Sequence, residues 1–396
     1  MDNSCASMTV CNVCRAPLGN PIYRSEGEQS LTSLCTLRAQ RTVVRFCGNC
    51  GHVQTDAILH VDQFYANEYD ILIQSDDEDQ LYEIRGEQRI FRVPHQLDTL
   101  LSICKIPHAA RVLDFGCAKG AMAKSLLAER PDLQICLFDV SERYRPFWNR
   151  FLEAERTALG AIPENWSGRF DLIYSFFVLE HVTDLVGVLD VVRRSLKPGG
   201  TFYFLVPNLQ ANIADLVVVD HCNHFTRSSL EVLLENAGFE SVLIDEQAHS
   251  SAFVVRASRS LDTALGRHLG VPRPAAEIEL ARLGIESLCD AWRGMGTRIR
   301  DFESRVEPEE KVAVYGSGFY GAFLTTCLSH PDRMVCYVDR NPFRQKRNLL
   351  GKPILAPAEL PPEVRVVYVG LNPALARSAI ADVREWLDRP LRFFYL

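Results

Sequence analysis

The chain of 396 residues reads as an α/β protein: an open, mostly parallel Rossmann-like sheet, a small cysteine-bound module before it and a second α/β sheet after it. Three observations predict this. Arg111-Val-Leu-Asp-Phe-Gly-Cys-Ala-Lys-Gly120 is a short apolar strand that enters a glycine turn and opens a helix. Lys311-Val-Ala-Val-Tyr-Gly-Ser-Gly-Phe-Tyr-Gly321 repeats that pattern near the C-terminus. Between residues 11 and 50, two C-x2-C pairs face each other across a loop-rich stretch.

The pairs are Cys11-Asn-Val-Cys14 and Cys47-Gly-Asn-Cys50. Each makes a tight turn that points two thiolates at one ion, and two such turns complete a tetrahedral all-cysteine site for zinc. Four thiolates leave no open position, so the metal is expected to be structural. A redox pair or chance clustering is the competing reading. Cys5 and Cys35 are spare, and His52 and His60 are expected at the surface or behind the ligands. Asp76-Asp-Glu-Asp79 reads as a solvated loop.

In the central stretch, Asp139 closes the apolar run Leu133-Gln-Ile-Cys-Leu-Phe-Asp139. Alternating strands and helices place the glycine loop and this acid at the carboxyl ends of adjacent parallel strands, where open α/β sheets bind ligands. An adenosine-type ligand fits: Gly116 and Gly120 admit close backbone approach and Asp139 can accept both ribose hydroxyls. Ala118 stands where a third glycine is common, which requires that position 118 not need a positive φ. Phe170 to Val182 is a further apolar strand ending in Glu180-His181, and a helix then stops at Leu196-Lys-Pro-Gly-Gly200 before the buried strand Thr201 to Val206.

With Asp114 preceding Gly116-x-x-x-Gly120, this order over residues 90 to 257 resembles class I S-adenosylmethionine methyltransferases. The resemblance implies cofactor contacts at Asp114, Gly116, Ala118, Gly120, Asp139 and Glu180, with His181 touching cofactor or substrate. Asp220-His-Cys-Asn-His-Phe225 lies between the fifth strand and the helix Ser228 to Gly238, where a base is needed. Histidine suits proton abstraction near neutral pH, so His221 is the candidate base and Asp220 its partner carboxylate, with His181 as a third catalytic candidate and His224 bracing the loop.

The last part adds an apolar stripe of Ile278, Leu283, Leu288, Trp292, Met295, Ile299 and Phe302, which predicts one long bridging helix over residues 276 to 304. Gly316, Gly318 and Gly321 then fit Gly-x-Gly-x-x-Gly, and Asp339 ends the next strand. Taken alone, that pattern suggests a nicotinamide site. Nearly the whole chain, however, resembles bacterial sugar C-methyltransferases: the second cysteine pair followed by Val53-Gln54, the spaced Tyr65 and Tyr69, and Val338-Asp-Arg-Asn-Pro342. That resemblance implies Tyr65 and Tyr69 bordering the pocket, Asp220 and His221 as acid and base, and a C-terminal Rossmann-like domain that serves the substrate or the scaffold. Val218 and Val219 depart from the family, which carries tyrosine and histidine there.

The expected organisation is a zinc module over 1–75, a methyltransferase domain over 76–260, and the bridging helix with the C-terminal domain over 261–396. The expected activity is methyl transfer to a nucleotide-linked sugar or related small metabolite, at carbon. Rival readings are an O- or N-methyltransferase of the same architecture, an NAD(P)-dependent oxidoreductase and a non-catalytic scaffold. A net charge of −7 argues against nucleic acid as a partner. No apolar run approaches the roughly 20 residues of a membrane span, and the N-terminus lacks signal-peptide character. With 13 cysteines, several of them inside apolar strands, the chain suits a reducing cytoplasm.

Overall fold

A computed structural model describes residues 9–69, 78–85, 88–261 and 273–396. Cys5, Asp76 and Asp77, and the expected division at 75/76 lie outside the described residues. The chain packs as two units. One comprises Met1–Ile22, Val43–Asp215 and Asp220–Gly284; the other comprises Tyr23–Thr42, Leu216–Val219 and Ile285–Leu396.

The first unit is built on a seven-stranded sheet. Its strands are β1 (Arg111–Phe115), β2 (Gln134–Asp139), β3 (Thr157–Leu159), β4 (Phe170–Phe176), β5 (Leu196–Pro207), β6 (Phe239–Asp245) and β7 (Ala252–Arg259). Their order across the sheet is β3-β2-β1-β4-β5-β7-β6. The strands from β3 through β5 pair in parallel, while β7 is antiparallel to both β5 and β6. The fold is therefore a mixed α/β Rossmann-like one with a mainly parallel sheet, and β1 and β4 lie side by side at its centre.

Central burial accounts for the composition of these strands. Val112, Leu113, Ile135, Leu137, Ile173, Phe202 and Phe204 are buried, and a parallel sheet covered on both faces requires such continuous apolar runs. The helix Leu185–Ser195 starts at Asp184, whose carboxylate accepts the Gly187 N–H at 3.1 Å. It gives way to β5 at Leu196, so the Lys-Pro-Gly-Gly turn belongs to the start of that strand.

Ahead of the sheet, Val43–Phe46 and Val53–Thr55 form an antiparallel pair, and the short strand Asn223–His224 adds to its edge through Gln54 and Val53. That edge strand comes from the loop after β5, so the cysteine-bearing hairpin and the expected catalytic loop share one small sheet.

In the second unit a six-stranded sheet has Lys311–Tyr315, Met334–Val338 and Val364–Val369 at its centre, all parallel. The helix Ala275–Glu303 leads into it. Its buried residues are Ile278, Ile285, Cys289, Trp292, Met295 and Ile299. Leu283, expected on the apolar stripe, is 54 % exposed; Ile285 takes its place because the buried face is phased around Cys289 and Trp292. Trp292 packs edge-on against Phe323 with ring centroids 4.8 Å apart. Val219, one of the two departures from the sugar C-methyltransferase pattern, donates its N–H to the Leu31 carbonyl at 3.0 Å and is fully buried.

Candidate active site

The glycine turn after β1 is held by backbone bonds: Gly116 and Cys117 both donate to the Phe138 carbonyl, at 2.9 and 3.0 Å. Gly116 has φ +77, and a Cβ there would stand 2.4 Å from Val178 Cγ2, so a side chain is excluded on both counts. Gly120 also takes a positive φ, +74. Ala118 corrects an expectation, since its φ of +45 lies in the left-handed region. It is held there on both sides: its N–H donates to Asp139 Oδ2 at 2.8 Å and its carbonyl accepts Trp148 Nε1 at 2.6 Å.

Asp139 is buried, with its other oxygen accepting the Ser141 N–H at 3.0 Å. These backbone bonds fix the side chain in orientation beside the turn. Asp114 is buried beneath the turn, where its carboxylate accepts the Tyr174 hydroxyl at 3.0 Å, and burial pushes its acid up to about 8. The turn thus sets glycine backbone beside an oriented acid, a donor set that fits an adenosyl group.

Beyond β4 the chain turns through Leu179–His181, and the loop after β5 returns alongside it. His181 Nδ1 lies 2.7 Å from the Tyr65 hydroxyl and 3.2 Å from the Asp220 carbonyl. Tyr65 also donates to that carbonyl at 2.8 Å; in the tautomer with the hydrogen on Nδ1, that nitrogen serves the Tyr65 oxygen and Nε2 is left unprotonated. Tyr69 packs on His181 with ring centroids 5.5 Å apart. The rings of His181 and His221 meet edge to face at 4.6 Å.

The carboxylate that holds His221 is Asp215, at 2.6 Å from Nδ1. Asp220, paired with His221 in the sequence reading, places its own carboxylate 3.7 Å from His181 instead. The other oxygen of Asp215 meets His224 Nδ1 at 2.7 Å, and His224 Nε2 meets the Thr55 hydroxyl at 2.7 Å. His224 is therefore a buried strut between the loop and the hairpin. Asp215 was not singled out from the sequence; its signal was an acid six residues before His221.

These contacts drive the two histidines apart electrically. Burial works against charge on His221, but the Asp215 carboxylate outweighs it and holds the imidazolium up to about 9. Burial, aided by the charge on His221, pulls His181 down to about 4. Glu180 is buried beside them with no hydrogen-bond partner on Oε2, and burial raises its acid to about 8.

At the other end, Cys11, Cys14, Cys47 and Cys50 bring their sulfurs within 4.8 Å of one another. The Cys11–Cys50 and Cys14–Cys47 separations are 3.7 and 3.5 Å. Four sulfurs each about 2.3 Å from one tetrahedral ion would stand about 3.8 Å apart, so the cluster fits such an ion. The two knuckles have the same build. Cys11 and Cys47 donate N–H to Ala16 and His52, and each accepts from a residue of positive φ, Arg15 and Gly51. His52 is buried, with Nε2 3.2 Å from Asn223 Oδ1. Asn223 also accepts the Asn12 amide at 2.8 Å and donates to the Leu179 and Val182 carbonyls, so it ties the first knuckle to the Glu180-His181 turn.

A family model described as "Methyltransferase domain" matches residues 86–244. The "C-methyltransferase NovU" of Streptomyces niveus is 27% identical over 241 residues, covering 56% of this chain and 56% of that protein. The "Ubiquinone biosynthesis O-methyltransferase" of Idiomarina loihiensis is 26% identical over 120 residues, 28% of this chain and 49% of its own length. The matches thus span about half the length of these curated relatives. Among solved structures, the CurJ carbon methyltransferase aligns at 17% identity over 40% of this chain and 51% of its own, with a TM-score of 0.34. The Haemonchus contortus phosphoethanolamine N-methyltransferase 2 bound to S-adenosylmethionine aligns at 15% identity over 42% and 52%, with a TM-score of 0.35. Among the described residues no helix is long and apolar enough to cross a membrane. The glycine turn, the oriented acid and the matched region coincide: residues 86–244 are a methyltransferase domain.

Proposed function

We propose that this chain methylates a carbon beside a carbonyl on a nucleotide-linked sugar or related small metabolite, in the cytoplasm. The observation that carries the reading is the pair of touching histidines, one held by the Asp215 carboxylate and the other by Tyr65, on loops at the carboxyl ends of β4 and β5, surroundings that push their charge in opposite directions. Carbon methylation needs a base for the C–H proton and a hydrogen-bond donor for the oxygen that gains charge as the proton leaves. Two ionisable groups pushed in opposite directions supply those two roles. The named C-methyltransferase relative and the resemblance over the cysteine pairs, the tyrosines and the Asn-Pro stretch support the same choice.

In this scheme bound S-adenosylmethionine supplies an activated methyl group. Neutral His181 accepts the substrate proton at Nε2, while Tyr65 and the Asp220 carbonyl hold Nδ1 and so fix the tautomer. His221, kept charged by Asp215, donates to the developing oxyanion. The base role thus moves from His221, favoured by sequence, to its neighbour. Gly116, Ala118, Gly120, Asp114 and Asp139 seat the cofactor, with Glu180 at the border with the acceptor. Cys11, Cys14, Cys47 and Cys50 hold a structural zinc ion. The organisation remains a zinc module over 1–75, a methyltransferase domain over 76–260 and a C-terminal domain over 261–396. The last serves as scaffold or substrate support: Asp339 spends one oxygen on the Ser317 hydroxyl and N–H, at 2.6 and 2.9 Å, and the other on the Asn341 N–H at 2.8 Å.

Incubation of the chain with methyl-labelled S-adenosylmethionine and a panel of keto-sugar nucleotides, read by mass spectrometry, should show a labelled C–CH3 group. Label on oxygen or nitrogen would transfer the reading to the rival methyltransferases. The pH–rate profile should be level from about 5 to 8 and fall above about 9, as His221 loses its charge. A rate that climbs with pH up to 9 would return the base role to His221.

A further inference from the structure

Beside the histidine pair, a second cluster has no part in proton transfer. Phe177, at the end of β4, is held at φ +57, in the left-handed region that a bulky residue seldom occupies. Its ring carries the Arg92 guanidinium at 4.2 Å on one side and meets the His249 ring edge-on at 5.7 Å. Arg92 donates to the Gln80 amide at 2.9 Å, and among the described residues it forms no ion pair with an acid. Half-buried, it has its pKa lowered by desolvation against the pull of Glu180 and Asp79. His249 is 3 % exposed, yet neither ring nitrogen has a hydrogen-bond partner. Buried polar atoms are almost always paired, so two orphans on one ring call for a missing partner. Tyr82 completes the wall, stacked on His95 at 4.1 Å and edge-on to His249 at 4.6 Å.

We propose, resting on the acceptor reading above, that Arg92 and His249 clasp a phosphoryl group of the acceptor beside Phe177. The chemistry matches on each count. A guanidinium offers a planar fork of donors suited to a phosphoryl oxygen pair, and the single N–H of the His249 imidazole, held neutral chiefly by burial, adds a further donor beside the same ring. Tyr82 and His95 add an aromatic wall beside His249, which lowers the local polarity and strengthens its contact. Phe177 stands three residues before Glu180, so an acceptor anchored here presents its sugar toward the histidines. The backbone strain at Phe177 is then the means of holding its ring against both donors.

The test is calorimetric titration of inorganic pyrophosphate into the full-length chain saturated with S-adenosylhomocysteine. The wild type should bind saturably. Arg92→Gln should weaken pyrophosphate at least tenfold, and His249→Phe, which keeps an aromatic ring but removes both nitrogens, at least threefold. Neither should alter the affinity for S-adenosylhomocysteine. Absence of pyrophosphate binding, or variants that bind it as the wild type does, would overturn the assignment. So would a tenfold loss of S-adenosylhomocysteine affinity in Arg92→Gln with pyrophosphate unaffected, because the anion served would then be the carboxylate of the cofactor. Should Arg92→Gln fail to fold, His249→Phe decides alone. Pyrophosphate has no carbon to methylate, so this result stands apart from success or failure of the methyl-transfer assay.

Discussion

A single methyl group separates Ala118 from the glycine its φ of +45 would favour. Left-handed backbone costs an L-residue about 1 kcal/mol or more, and Ala118 is kept there by its bonds to Asp139 and Trp148. Ala118→Gly should therefore raise the stability of the chain by about 0.5–1 kcal/mol in urea unfolding and leave cofactor affinity intact. Gly116→Ala should do the opposite, because the new Cβ meets Val178 at 2.4 Å; S-adenosylhomocysteine binding should fall at least tenfold. His221→Ala should keep cofactor binding and cut turnover by roughly a hundredfold. Asp215→Asn should leave cofactor affinity in place while the alkaline limb of the pH–rate profile moves down from about 9, since the carboxylate that holds His221 charged is gone. At this scale the sequence named both histidines and the cofactor turn but paired His221 with its chain neighbour Asp220. In the loop after β5 the side chain of Asp220 turns to His181, and Asp215, from the 3-10 turn before it, reaches His221.

Among elements, the loop that carries the histidines is itself part of the cysteine module's sheet. Asn223 pairs with Gln54 in that sheet, accepts from Asn12 within the first knuckle, and donates to the carbonyls that flank Glu180-His181. The structural metal proposed for the knuckles would therefore act on the geometry of the histidine pair. Removal of the metal by a chelator, or Cys47→Ser, should release one equivalent of zinc per chain, lower the thermal midpoint, and reduce turnover more than cofactor affinity. The readouts are metal analysis, calorimetry and a titration with S-adenosylhomocysteine. The four cysteines were legible because C-x2-C spacing is local. The link to the active loop was not, since it joins residues 12 and 223, far apart in the chain.

Taken as a whole molecule, two units each carry a glycine turn followed by an acid, and their acids end up in different surroundings. Asp139 accepts backbone N–H groups alone, from Ala118 and Ser141, whereas Asp339 spends one oxygen on both the hydroxyl and the N–H of Ser317 and the other on Asn341, with Arg344 donating to the Ser317 carbonyl at 2.6 Å. The glycines of the second turn serve close packing: a Cβ at Gly321 would stand 1.9 Å from the Gly316 carbonyl oxygen. Reduced nicotinamide should accordingly give no saturable fluorescence change with the full chain, and Ser317→Ala should destabilise the second unit by about 1 kcal/mol through the lost bond to Asp339. The sequence by itself determined the strand–turn–helix order, the cysteine knuckles and the acid that ends β2, because each is written in periodicity or spacing over a few residues. Only the tertiary structure decided which carboxylate meets which histidine, which of the two acids takes a side-chain donor, and that Arg92 and His249 both meet Phe177. Those outcomes depend on side chains brought together by strands and loops remote in sequence, and burial there sets the cost of every unpaired charge.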